Sequence, residues 1–218
     1  MSGMPVIIGI SGRKRSGKDT VAGLIVGMLP KTSKTSFADP IKAMLKWGLG
    51  LSWAQLYGDQ KEVMDVRYGR TPRELMQSLG TEWGRDLVGA DVWVFGLKQL
   101  LDGQKGTTVV IPDVRFENEA ALCRKYGYVI HVERPGLPVT DVHRSEVGIA
   151  FHPDDRVILN DGSLAELKVE VEMILGLRDA VPARPCKSQR QGDEWFCAEC
   201  ALRWGVEEGA TCRRTSAE

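Results

Sequence analysis

Residues Val6–Leu29 read VIIGISGRKRSGKDTVAGLIVGML. The stretch opens with an apolar run, Val6 to Ile10, of strand type. A polar loop bounded by glycine follows, Gly12-Arg13-Lys14-Arg15-Ser16-Gly17-Lys18-Asp19-Thr20. Val21, Leu24, Ile25, Met28 and Leu29 then recur with the period of a helix. Strand, glycine-bounded loop and helix form the context in which G-x-x-x-x-G-K is a phosphate-binding loop. Glycine lets the backbone approach phosphate oxygens closely. The N–H groups of the loop and the first helical turn then face the anion, and the helix dipole favours negative charge there. Lys18 is placed to reach the β- and γ-phosphates of a nucleoside triphosphate. Asp19 stands where the motif has Ser or Thr, with Thr20 next; the pair offers a carboxylate and a hydroxyl for Mg²⁺. The alternative is that RKRSGK is a basic surface cluster or a nucleic-acid patch.

The remaining pattern continues an α/β chain. Thr35–Ala38 is a short strand candidate, and Asp39-Pro40 opens a helix to Leu49. Ser52-Trp53-Ala54-Gln55 predicts a capped helix start, and Lys61–Arg70 a mobile polar connection. Thr71-Pro72-Arg73-Glu74 begins a helix to about Leu87, with Gly80 and Gly84 as its weak points. Asp91 caps another helix to Leu101. Strands follow at Thr107–Pro112, Tyr128–Val132 and Arg156–Leu159. A helix, Phe116–Tyr126, closes at Gly127; a short helical piece is an option near Ser145–Phe151; Ser163 and Glu166 cap the last helix. The expected fold is a P-loop-type parallel sheet flanked by helices, with a helical insertion over about 39–105 and a lid over about 134–152, inside a domain of residues 1–178. Residues 179–193 read as a linker and 194–218 as a Cys-rich tail.

Composition narrows the function classes. The 218 residues carry 29 Lys plus Arg against 29 Asp plus Glu, so no global field recruits nucleic acid or anionic membrane. No apolar run nears the roughly 20 residues that cross a bilayer. The start of the chain lacks a secretory pattern, and cytosol is the expected compartment. Four of the five cysteines, Cys186, Cys197, Cys200 and Cys212, fall in the tail and are candidate zinc ligands, with incidental thiols as the alternative. Cys123 reads as core.

Further candidates lie downstream of the loop. Asp113, at the carboxyl end of a central strand, is placed to hold metal through water or to contact an acceptor, and Arg115 to meet an acceptor phosphate. Arg73, Gln77 and Arg85 can share a helix side and supply donors for a phosphate and a base edge; Trp93 offers a stacking face. Asp39, opening the insertion, joins these acceptor candidates. Arg134 and Arg144, with Asp141, His143 and Glu146, occupy the loop that would close over the phosphates. Asn160-Asp161-Gly162-Ser163 is either a turn and N-cap or the border of a purine site. The structural alternative for each is an ordinary ion pair, solvated face or core aromatic.

GRKRSGKDT, TPRELMQSLGTEWGR, DVRFENEA and NDGSLAEL together resemble the deoxynucleoside monophosphate kinases of tailed bacteriophages, over about residues 5–178. GKD belongs to that family's pattern. The resemblance implies ATP and Mg²⁺ as cosubstrates and a deoxynucleoside 5′-monophosphate as acceptor. It places Lys14, Arg15, Gly17, Lys18, Asp19 and Thr20 on ATP phosphates and metal, and Arg73, Arg85, Trp93, Asp113 and Arg115 near the acceptor. Lys18, Arg15, Asp113 and Arg134 are then the expected catalytic groups. Two rivals stay open. One is another small-molecule kinase, of the dephospho-coenzyme A or phosphomevalonate kind. The other is a nucleic-acid-binding ATPase with a zinc tail. The base accepted and the oligomeric state, a homodimer among the options, are not legible.

Overall fold

The computed structural model describes residues 3–137 and 148–178 in full, and the backbone of three later strands, 188–191, 194–197 and 203–204. Its centre is a five-stranded sheet: β1 (Val6–Ser11), β2 (Thr32–Lys34), β3 (Thr108–Ile111), β4 (Gly127–Glu133) and β5 (Arg156–Leu159). The order is β2-β3-β1-β4-β5, and every pairing is parallel. Strand side chains alternate between faces, so the sheet separates two cores. Ile7, Val109 and Ile111 face α6 (Glu117–Tyr126) and the insertion helices. Ile8, Ile10 and Val110 face α1 (Lys18–Met28) and α7 (Leu164–Ile174). The chain leaves β1 toward β2 and β3 on one side and later places β4 on the other. The crevice at the carboxyl end of β1 is therefore the switch point where α/β proteins bind ligands.

The sequence reading and the structure differ in informative places. The second strand is Thr32–Lys34 rather than Thr35–Ala38. Thr35 N–H still bonds Val110 O, but the N–H groups of Phe37 and Ala38 are taken by Asp113, which turns the chain out of the sheet. Gly127 ends α6 as read, but with an extended φ of 175° and as the first residue of β4; a Cβ there would sit 2.0 Å from Ile7 O, so glycine is needed for strand contact. Asp91 makes no capping bond at α5 (Val92–Leu101); its Oδ1 accepts from Asn118 Nδ2 instead.

Between β2 and β3 lie α2 (Asp39–Leu49), α3 (Trp53–Leu56) and α4 (Pro72–Gln77), then α5. Reciprocal capping boxes, Ser52 with Gln55 and Thr71 with Glu74, start α3 and α4. The stretch read as a mobile connection is folded: a 3₁₀ turn, Asp59–Glu62, precedes buried Asp65, which accepts from Gln55 Nε2 and from Arg67 N, Nε and Nη2. α4 continues as a π-helical run, Ser78–Val88. Its two glycines are close-approach points, since a Cβ on Gly80 would lie 2.9 Å from Ile41 Cδ1 and one on Gly84 2.5 Å from the Trp93 ring.

β6 (Ser188–Gln191), β7 (Glu194–Cys197) and β8 (Arg203–Trp204) form a separate antiparallel sheet. β6 falls within the stretch read as a linker. The helical piece near Ser145 lies outside the described residues in its first half, and Gly148–Phe151 is not helical. No helix among the described residues is long and apolar enough to cross a membrane.

Candidate functional site

The loop after β1 is built for an anion. Gly12 has φ 146° and a Cβ there would meet Val132 O at 2.4 Å. Gly17 has φ 101°, with the Asn160 amide 2.4 Å from where a Cβ would be. Both positions require glycine. Arg15, not a glycine, also sits in the left-handed region at φ 66°, a cost of the kind that clusters at binding loops. Lys18 folds back over the loop, its Nζ donating to Gly12 O and Arg13 O at 2.7 Å each. Ser16 Oγ is buried and finds no hydrogen-bond partner among the described residues. Asp19 and Thr20 stand exposed in the first turn of α1.

A cavity of about 830 Å³ extends from this loop to the insertion. Lys14, Arg15, Lys18 and Asp19 line its sheet-side end; Arg73, Gln77 and Trp93 line the far wall. Asp39, Arg85, Asp113 and Arg115 also contribute to the lining. So candidates spread along the sequence from Lys14 to Arg115 meet on one surface. Arg134 does not: it is exposed one residue past β4 and is not part of that lining. Arg144, Asp141, His143 and Glu146 lie outside the described residues, as do Cys186, Cys200 and Cys212 and the side chain of Cys197. Among the described residues, which do not include those thiols, no cluster of three His, Cys, Asp or Glu could hold a metal.

Several candidates have structural partners that the sequence did not suggest. Asp113 accepts from Ser36 Oγ at 2.5 Å, Phe37 N at 3.0 Å and Ala38 N at 2.9 Å, so both oxygens pin the start of the insertion to the end of β3. Arg85 is buried, pairs with Glu119, donates to Ala90 O and Asn118 Oδ1, and lies 3.8 Å over the Phe116 ring. Trp93 is 6% exposed and its indole N–H donates to Gly80 O at 2.7 Å, so only an edge reaches the cavity. Burial, opposed by Lys42 and aided by Asp113, holds the Asp39 carboxyl above its usual range.

Three residues were missed or misread. Glu62 joins two cavity cations: its Oε1 accepts from Lys14 Nζ at 2.7 Å and Arg73 Nε at 2.5 Å. The Lys14 and Arg73 bonds, working against burial, hold its carboxyl below the ordinary range. No periodicity marks it, because it lies in an irregular turn. Glu119 accepts from Arg115 N and Phe116 N at the start of α6, as a charge in a first helical turn would, and it is also the buried partner of Arg85. Burial and then the Asp113 charge push its carboxyl up, against Arg85. Asn160, read as a turn or a purine border, donates from Nδ2 to Ser16 O.

Comparison with known proteins agrees with this arrangement. The family profile described as "Deoxynucleotide monophosphate kinase" matches residues 6–68 and 52–171. A protein of Acanthamoeba polyphaga mimivirus bearing that kinase name is 36% identical over 182 residues, covering 76% of this chain and 94% of its own. The deoxynucleotide monophosphate kinase of Escherichia phage RB69 is 40% identical over 107 residues, 47% of this chain and 44% of its own. The deoxynucleoside-5′-monophosphate kinase of Escherichia phage T5 is 28% identical over 241 residues, 77% of this chain and 95% of its own.

Proposed function

This chain belongs to the deoxynucleotide monophosphate kinase family, and from that premise we propose that its cavity holds ATP at the Gly12–Thr20 loop and a deoxynucleoside 5′-monophosphate against the insertion. The protein is a phosphotransferase that converts the monophosphate to the diphosphate. The observation that carries the reading is the single cavity running from Lys18 and Asp19 to Arg73, Gln77 and Trp93. The family match leaves the two rival activities without support.

An acceptor oxygen attacks the γ-phosphorus, the bridging P–O bond breaks, and ADP leaves with the electron pair. The acceptor phosphate, with a second pKa of about 6, is mostly dianionic near neutral pH and needs no general base. The protein's contribution is alignment and charge neutralisation. Gly12, Ser16 and Gly17 give the backbone cradle, and the unsatisfied Ser16 Oγ beneath it is a donor awaiting an acceptor. Lys18 leaves its two carbonyls for the β- and γ-phosphates; Lys14 and Arg15 flank them. The Asp19 carboxylate and Thr20 hydroxyl are hard oxygen donors that would hold Mg²⁺, which would supply positive charge to offset that of the phosphates. Arg73 and Arg115 meet the acceptor phosphate, Gln77 and the Trp93 edge its base. Asp39 faces its sugar. Asp113 and Arg85 act by holding this wall in place.

Coupled ADP release with ATP and a panel of deoxynucleoside and ribonucleoside monophosphates tests the reading. ADP formation that depends on a deoxynucleoside monophosphate is expected. Absence of acceptor-dependent turnover across the panel would overturn it.

A further inference from the structure

Lys61 is half-buried in the cavity wall. Among the described residues its ammonium makes no hydrogen bond or salt bridge. Burying a charge without a partner is costly, and such a group needs compensation from somewhere. Here the neighbours make the cost larger. Burial, and then the positive charges of Lys42 and Arg73, push the Lys61 ammonium below its usual value, with only partial relief from Asp19 and Glu62. These same neighbours locate it. Asp19 belongs to the first turn after the phosphate loop, whereas Arg73 and Lys42 belong to the insertion, so Lys61 feels both ends of the cavity. The adjacent Glu62 is occupied by Lys14 and Arg73. Its hydrogen bonds go to these two flanking cations, and Lys61 receives only a part of its charge.

Resting on the kinase reading above, we infer that Lys61 is a further catalytic residue, whose ammonium contacts the phosphoryl group as it passes from donor to acceptor. It forms and breaks no covalent bond and transfers no proton. It supplies positive charge where the oxygens of the transferring group lie between the two nucleotides, and the phosphate anion supplies the partner that the protein withholds. A lysine is suited to this as a compact, mobile point charge.

The test compares Lys61→Met and Lys61→Arg with the unaltered protein in two readouts. With ATP, Mg²⁺ and the best acceptor, Lys61→Met should lose about 100-fold or more in kcat, with Lys61→Arg recovering part of it. In thermal melts without nucleotide, Lys61→Met should be as stable as the parent or more so, because like-charge repulsion is removed. Inorganic tripolyphosphate should raise its Tm less than it raises the parent's. The second readout stands even if no deoxynucleotide is turned over, so it separates failure of this assignment from failure of the kinase reading. A reduced kcat or a reduced tripolyphosphate shift, in a variant that is not destabilised, upholds the contact. Kinetics and tripolyphosphate shift both within about twofold of the parent, or a Tm loss that accounts for the activity loss, overturn it.

Discussion

Asn160 Nδ2 donates to the carbonyl oxygen of Ser16 at 2.8 Å, across 144 residues of chain. The last strand of the sheet thereby fixes the floor of the phosphate loop. Asn160→Ala removes this tether and leaves the core untouched, so ATP KM should rise about 10-fold, in line with loss of a hydrogen bond of about 1 kcal/mol plus loop disorder. Tm should move by no more than about 2 °C. Steady-state kinetics with varied ATP, beside a melt, checks it.

Lys18 Nζ donates to two loop carbonyls, Gly12 O and Arg13 O, that phosphate oxygens would replace. Lys18→Ala should lower kcat by roughly 10²–10³-fold while the circular dichroism spectrum stays that of the parent. Single-turnover kinetics at saturating ATP would show whether the loss lies in the chemical step.

Arg85 and Glu119 form a buried ion pair, each side chain about 5% exposed or less. Arg85→Ala strands a buried carboxylate and should destabilise the fold by about 3–5 kcal/mol, read as a drop in the urea midpoint. Arg85→Met with Glu119→Leu should recover most of that loss. If Arg85 instead contacts the acceptor directly, acceptor KM rises with the urea midpoint unchanged.

Asp155 ties the segment before β5 to the body: it accepts from Arg124 Nε and Nη2, from His152 N, and pairs with His131 Nε2. Burial pushes its carboxyl up, but these bonds outweigh burial and hold it at about 2, below the ordinary 3.8. A depressed carboxyl contributes stability that is fully present above pH 3.8 and is lost as pH falls through about 2. Asp155→Asn should therefore be less stable than the parent at pH 5, and the gap should narrow between pH 4 and 2. Urea denaturation across that range measures it.

The loop, the sheet and most helix starts were legible because each has a local cause. Gly12 and Gly17 announce close backbone approach, and Ser52, Thr71 and Ser163 each precede a glutamate or glutamine by three residues. What escaped depends on pairs distant in sequence. Ser36 and Asp113 are 77 residues apart, and the bonds Asp113 takes from Ser36, Phe37 and Ala38 turn the chain out of the sheet early. Glu62 and Lys61 sit in a 3₁₀ turn with no apolar period to mark an inward face. Trp93 was read for its ring; its depth is set by Gly80 and Gly84, whose missing side chains looked like weakness in a helix.

The Asp113 fastening bears on how such an enzyme can diversify. One carboxylate secures the doorway of the insertion to the sheet, while the turn beyond it reaches the donor loop through a long, replaceable side chain, Glu62 to Lys14. Residues 39–105 can thus drift toward another nucleobase as a module, and the apparatus that grips the triphosphate need not change with them.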